Sequence, residues 1–297
     1  MKNMLSVLTG RSFRASRMRN LIATLAIVLT TVLFTAVTTI GMGAAESITL
    51  TMQMLKGSRS DGDFHNMTAE QYEALKDADF IREYGLRMPV GFLANTTRHN
   101  IEFDVLDSVQ ADLTFCMPVH GSAPKAENEI VTSDAALRDL GVEPETGVAV
   151  TIVFTAHGRE YELDMIVSGW FEATSEQISM MWTGTAFRDA HPDIFEYTYD
   201  QDRDMAGTYY SDFVAASTIG LQENLDHWVR QMGGEPDAAN SDNLSATINT
   251  VTNPTLDPTT LLLGAVIIVL FMLCGYLLIY NVFDIAVMQE IRRYGLY

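Results

Sequence analysis

Cysteine is nearly missing, with two thiols in 297 residues, Cys116 and Cys274. One lies in a polar stretch and the other inside a long apolar run, so the two cannot meet. A disulfide framework is excluded, and stability must come from packing. Basic side chains are also scarce, 19 Lys and Arg against 38 Asp and Glu, for a net charge of −19. Catalytic signatures are absent. Without a GxxxxGK[ST] loop the chain does not bind nucleotide in the P-loop manner, and neither a GxSxG elbow nor an HExxH pair occurs. His65, His99, His120, His157, His191 and His227 have no second histidine at i+3 to i+5, so they read as scattered surface residues and not zinc ligands. Asp200, Asp202 and Asp204 imitate the opening of a calcium loop. Met205 stands where its tight turn needs Gly, however, and Ser211 where a bidentate Glu belongs. Asn66, Asn95 and Asn243 fall in N-x-[ST] sequons, as chance allows in a polar segment of this length. The chain therefore reads as a non-enzyme without a cofactor or metal.

What is present is strict segregation. A 47% hydrophobic composition sits oddly with 38 acidic residues until the apolar ones are seen to cluster. Residues 20–45 and 258–283 are each 26 residues without a charge. As helices each would reach ~39 Å, enough to cross a ~30 Å hydrocarbon core with some tilt. Lys2, Arg11, Arg14, Arg17 and Arg19 precede the first run with no acid among them, which places the N-terminus in the cytoplasm. Two spans return the C-terminus to the same side, where Arg292 and Arg293 agree. The expected organisation is a basic tail (1–19), a first span (20–45), an extracytoplasmic domain (46–257), a second span (258–283) and a cytoplasmic stalk (284–297). The outer segment carries 12 basic and 36 acidic side chains, a formal charge of −24 that suits an exported soluble domain. Gly43, Ala44 and Ala45 offer a signal-peptide cleavage site, but the apolar run exceeds the ~7–15 residues of a signal core. Within the first span Thr31, Thr35, Thr39 and Gly43 recur every four residues. The stripe either packs a neighbouring helix or merely turns hydroxyls onto the preceding turn, and the sequence leaves the two open.

The outer segment reads as α+β, in one lobe or two. Residues 56–66 form a polar linker, and Thr68 and Gln71 form a capping box before a helix with Tyr72 and Leu75 on its apolar side. Two strands fit residues 84–107, joined near Asn95, Thr96 and Thr97. In the second, Ile101, Phe103 and Val105 alternate with Glu102 and Asp104 as in a half-buried strand. Ser133 caps a short helix that stops at Gly141. Val148, Val150, Ile152 and Phe154 alternate, His157 and Gly158 turn the chain, and Tyr161, Leu163, Met165 and Val167 alternate back as a hairpin. Residues 172–207 have no legible period, and 209–215 suit a strand. Leu221, Leu225, Trp228, Val229 and Met232 follow at helical spacing, with Gly233 and Gly234 ending the helix. Residues 235–257 read as a polar linker.

Several strings in this order resemble one family. They are MTAEQYEAL at 67–75, GSAPKAENEIV at 121–131, Gly147 with the hairpin, Gly169, and the exit YNVF at 280–283 through IRRYGL at 291–296. Together they are similar to the FtsX-like and MacB-like permeases of ABC transporters, across nearly the whole chain. The resemblance implies a MacB-like core domain at 46–257 and a bacterial multi-pass membrane protein with both termini cytoplasmic. It further implies an ABC-type ATPase partner, contacted by way of Arg292, Arg293, Tyr294, Gly295 and Leu296. ATP-driven helix movement would then rearrange the outer domain to export or release a peptide or hydrophobic cargo. Such permeases carry two further spans, so the chain reads as a truncated product or fragment. The expected partners are accordingly the ATPase, a missing permease half or second permease subunit, and membrane lipid, with no nucleic acid. Two rivals remain: a two-span sensor with an extracytoplasmic sensing domain, and an FtsX-type scaffold that regulates a cell-wall enzyme.

Overall fold

A computed structural model of the chain describes residues 17–173, 179–196, 206–236, 243–252 and 258–294. It falls into two units, Met1–Ile48 with Thr255–Tyr297, and Thr49–Pro254. Helix α1, Arg17–Lys56, runs for 40 residues, or ~60 Å at 1.5 Å per residue. It continues past the uncharged run because residues 46–56 contain neither Gly nor Pro to stop it. Gly57, at φ 78°, ends it in the left-handed conformation, with Ser58 N–H closing back on the Gln53 carbonyl at 3.2 Å. Within α1, Ile27–Lys56 is long and apolar enough to cross a membrane.

The second unit is built on an eleven-stranded sheet. In chain order its elements are β1 (Gly62–Met67), α2 (Ala69–Ala74), β2 (Ile81–Tyr84), β3 (Arg87–Phe92), β4 (Glu102–Leu106), α3 (Ser108–Leu113), β5 (His120–Gly121), β6 (Glu129–Ser133), α4 (Asp134–Asp139), β7 (Ala149–Ala156) and β8 (Arg159–Phe171). There follow β9 (Met180–Thr183), α5 (Thr185–Ala190), α6 (Pro192–Phe195), β10 (Tyr209–Ala215), α7 (Leu221–Gln231) and β11 (Ser245–Ile248). The strand order is β11-β1-β10-β3-β4-β9-β6-β8-β5, with β2 on β10 and β7 on β8. Among the described residues only β4–β9 and β6–β8 pair in parallel. This is the α+β class read from the sequence. The chain then enters α8, Pro258–Tyr294, a helix of 37 residues in the other unit. Its Gly264–Leu277 stretch is a shorter apolar run by hydropathy.

Two main cores divide the sheet. Phe64, Met67, Phe213, Leu225, Trp228 and Val229 pack where α2 and α7 cover β1, β10 and β11. Met88, Phe103, Ile152, Phe154, Val167 and Phe187 fill the second core, over β3, β4, β7 and β8. Tyr72 and Tyr209 pack against both. A smaller cluster of Leu106, Cys116, Val131, Phe171 and Trp182 completes the second half.

Local signals translate directly. Thr68 and Gln71 form the capping box, and the Ser133 hydroxyl accepts from Ala136 N–H. The β7–β8 hairpin turns at His157 and Gly158, both at positive φ. Buried Leu221, Leu225, Trp228 and Val229 form the inner face of α7. Three readings need correction. The linker placed at 56–66 contains most of β1, and the one at 235–257 contains β11, which pairs with β1. Both strands are short and carry polar residues, so neither shows an apolar alternation. β4 is buried on both faces, not one, and Asp104 is fully buried.

Candidate functional site

A polar network ties the first and last residues of the sheet domain together. Gly62 pairs with Phe213 on one side and Ile248 on the other. The start of β1 and the ends of β10 and β11 therefore share one end of the sheet. Two leads meet there, residues 57–61 from α1 and residues 249–252 toward α8.

The first lead is fastened to α3 and β10. Arg59 N–H donates to the Leu113 carbonyl at 2.9 Å, and its guanidinium pairs with Asp112. The Ser58 hydroxyl donates to Asp212 at 2.6 Å, and Gln110 holds the other oxygen of that carboxylate at 2.9 Å. Asp61 N–H donates to the Phe213 carbonyl at 2.8 Å, and its side chain accepts from Ala215 N–H at 2.9 Å. The second lead is fastened to the first. Asn249, 1% exposed, donates from Nδ2 to the Ser60 carbonyl at 2.8 Å. Its Oδ1 accepts from Lys56 Nζ at 3.0 Å, and its backbone N–H donates to the Asp61 carbonyl at 2.9 Å. The Thr252 hydroxyl reaches the same Ser60 carbonyl at 2.8 Å.

A charged cluster lies farther along the sheet, where the two cores adjoin. β10 and β3 pair at one position, Tyr210 with Arg87. The Arg87 guanidinium lies 5.7 Å from the Tyr210 ring centroid and pairs with Glu102 and Asp104, each at 2.7 Å. Asp104 Oδ1 is buried without a hydrogen-bond partner. Burial pushes the Asp104 carboxyl up, Arg87 pulls it back and Glu102 adds to the rise, leaving it at about 7. On β1, burial also acts against the Asp63 carboxylate. Hydrogen bonds from His65 and Thr247 nevertheless hold it below its ordinary value.

Burial pushes the Cys116 thiol up to about 12, leaving it protonated and unreactive. Among the described residues no group of three His, Cys, Asp or Glu could hold a metal ion. Several histidines have structural partners and are not bystanders: His65 pairs with Asp63 at 3.0 Å, and His120 stacks on Trp170 at 4.0 Å.

Of the residues singled out from the sequence, Thr31 turns its hydroxyl onto the Ile27 carbonyl at 2.8 Å. Thr35, Thr39 and Gly43 are exposed along α1. Gly275 of α8 has the Thr30 methyl 3.9 Å from where a Cβ would sit, one residue away from the predicted stripe. Arg292, Arg293 and Tyr294 fall in the last turn of α8, while their side chains, together with Gly295 and Leu296, lie outside the described residues. So do Asp200, Asp202 and Asp204. Sequence reasoning missed the Asn249 tie and the Arg87 cluster. A charged residue amid Phe103, Val105 and Leu106 was the one available hint for the latter.

No protein-family model and no curated relative matches the chain. Among solved structures it is similar to the extracellular domain of the noncanonic ABC-type transporter YknZ from Gram-positive bacteria. The TM-score is 0.41 at 13% identity, covering 62% of this chain and 98% of that one. It is also similar to a domain assigned to a permease protein from Porphyromonas gingivalis. There the TM-score is 0.37 at 14% identity, over 68% of this chain and 94% of that one.

Proposed function

We propose that the chain is the membrane-embedded permease part of an FtsX/MacB-type ABC transporter, in which a partner ATPase drives helix movements that rearrange the outer domain. The observation that carries the reading is the length of the two helices, 40 and 37 residues. At ~60 and ~55 Å, each outreaches a ~30 Å hydrocarbon core. The excess of α1 leads outward, through residues 46–56, into the domain. The excess of α8, from Asp284 onward, leads to the cytoplasm. A continuous helix is stiff along its axis, so a push on one end is delivered at the other. Residues 292–296 are the contact for the ATPase, and Arg292 and Arg293 also fix the orientation by the positive-inside rule. The expected arrangement keeps 1–19 and 284–297 in the cytoplasm and 46–257 outside. The cargo class is a peptide or hydrophobic molecule.

Affinity purification of the tagged chain from its host membrane in mild detergent tests this reading. An ABC-type ATPase is expected to co-purify in stoichiometric amount and to be lost when residues 292–296 are replaced by a Gly/Ser string. Recovery of a histidine kinase or a wall hydrolase, with no ATPase, would replace it with the sensor or the scaffold.

A further inference from the structure

The two leads are not fastened to the domain in the same way. The first is bonded to α3 at Leu113 and to β10 at Asp212 and Phe213. The second follows directly from β11, which among the described residues is an edge strand paired with β1 alone. Through Asn249 and Thr252 it is bonded to Lys56, Ser60 and Asp61, residues of the first lead. β1 and β11 are antiparallel, so the ends joined to the helices lie together. Pulling those ends apart loads their backbone hydrogen bonds one after another, beginning at the pair Gly62 and Ile248. That is the weak direction of a β-pair, because a single bond carries the load at each step. Asn249 sits one residue ahead of the first pair, where the opening would begin.

We infer that Asn249 is a latch that holds the two leads together, so that the helices act on the domain as one input and the β1–β11 pair does not open from its membrane end. Its side chain suits the task. A carboxamide donates to the Ser60 carbonyl and accepts from Lys56 at the same time, which neither Asp nor Leu can do. Its burial keeps water from competing for the Ser60 bond, while Lys56 reaches in from the exposed side. Thr252 adds a second strap over the same carbonyl. The inference rests on the permease reading for the source of the load, but the latch itself is measurable without an ATPase.

Hydrogen–deuterium exchange on the full chain in lipid nanodiscs tests it, comparing the unaltered chain with Asn249→Ala and Asn249→Asp. Loss of the buried side-chain bonds is expected to speed amide exchange in residues 60–64 and 245–249 by about tenfold or more. Exchange in the β7–β8 hairpin, on the other core, stays unchanged. Asn249→Asp keeps an acceptor for Lys56 but sets a carboxylate oxygen against the Ser60 carbonyl, so it should speed exchange there as well. Unchanged exchange in both variants would overturn the latch, since the pair would then stay closed without it. An equal acceleration across all strands would also overturn it, by making Asn249 a determinant of overall stability. Either result leaves the permease reading standing, because co-purification with the ATPase is decided separately.

Discussion

Arg87 is the residue on which the charged cluster depends. It neutralises a fully buried Asp104, pairs with Glu102 and lies against the ring of Tyr210, so it touches both halves of the sheet. Removing one partner of a buried pair leaves the other uncompensated, at a typical cost of about 3 kcal/mol. Arg87→Met is expected to lower stability by that order at pH 8, measured by urea denaturation of the domain. The loss should be smaller at pH 5, where Asp104 can take up a proton in place of its partner. A related dependence holds in the unaltered protein. Asp104 ordinarily titrates near 3.8 and is held at about 7 when folded. The folded state therefore binds the proton more tightly, and the stability it gains is complete below about pH 4 and lost as pH rises through 7. Asp63 and Asp139, both held below their ordinary values, are ionised in both states between pH 5 and 8 and add no slope there. Urea midpoints at pH 5 and pH 8 are expected to converge in Asp104→Asn.

The edge strands show best how elements were or were not legible. The β7–β8 hairpin could be read because its alternation runs for eight residues a side and its turn carries His157 and Gly158 at positive φ. The capping box at Thr68 and the face of α7 were equally plain, since each is a local pattern with a local cause. β1 and β11 have no such pattern. Each is held by its neighbours across the sheet, and each carries polar residues such as Asp63 and Thr247, which bond one another at 2.5 Å. Gly62 marks the close approach, since a Cβ there would lie 2.4 Å from the Thr247 carbonyl oxygen and 2.7 Å from the Phe213 ring. Gly62→Ala must push β11 away or displace Phe213. It is expected to cost about 1–3 kcal/mol, as overpacked sites do, with exchange in β11 rising before the rest of the sheet. The outer side of β7, which branches from β8, is guarded differently. Asn95 presents its amide to β7, donating to the Thr151 carbonyl at 2.8 Å and accepting from Val153 N–H at 3.2 Å, as a backbone residue would. An exposed β edge recruits other chains, so Asn95→Ala is expected to aggregate faster on warming, measured by light scattering. The candidate site shared the fate of β1 and β11: Lys56 and Asn249 are 193 residues apart, and no local period marks either.

For the whole molecule the decisive property is the distribution of charge. A segment with 36 acidic and 12 basic side chains stands between two apolar helices, and in the topology proposed above the basic residues near the start of the chain keep the N-terminus inside. Protease added to intact spheroplasts is expected to cut within 46–257 and to spare a tag at either terminus. Cleavage of the tags alone would reverse the orientation. The same region of chain has another property that follows from its geometry. Asp61 and Asn249 are joined by one backbone hydrogen bond of 2.9 Å, so the folded body begins and ends at nearly the same point. A body closed in this way is a cassette. Excised and bridged by a few glycines, it would leave α1 and α8 joined directly. Spliced into a surface turn of an unrelated protein, it would fit without stretching its host.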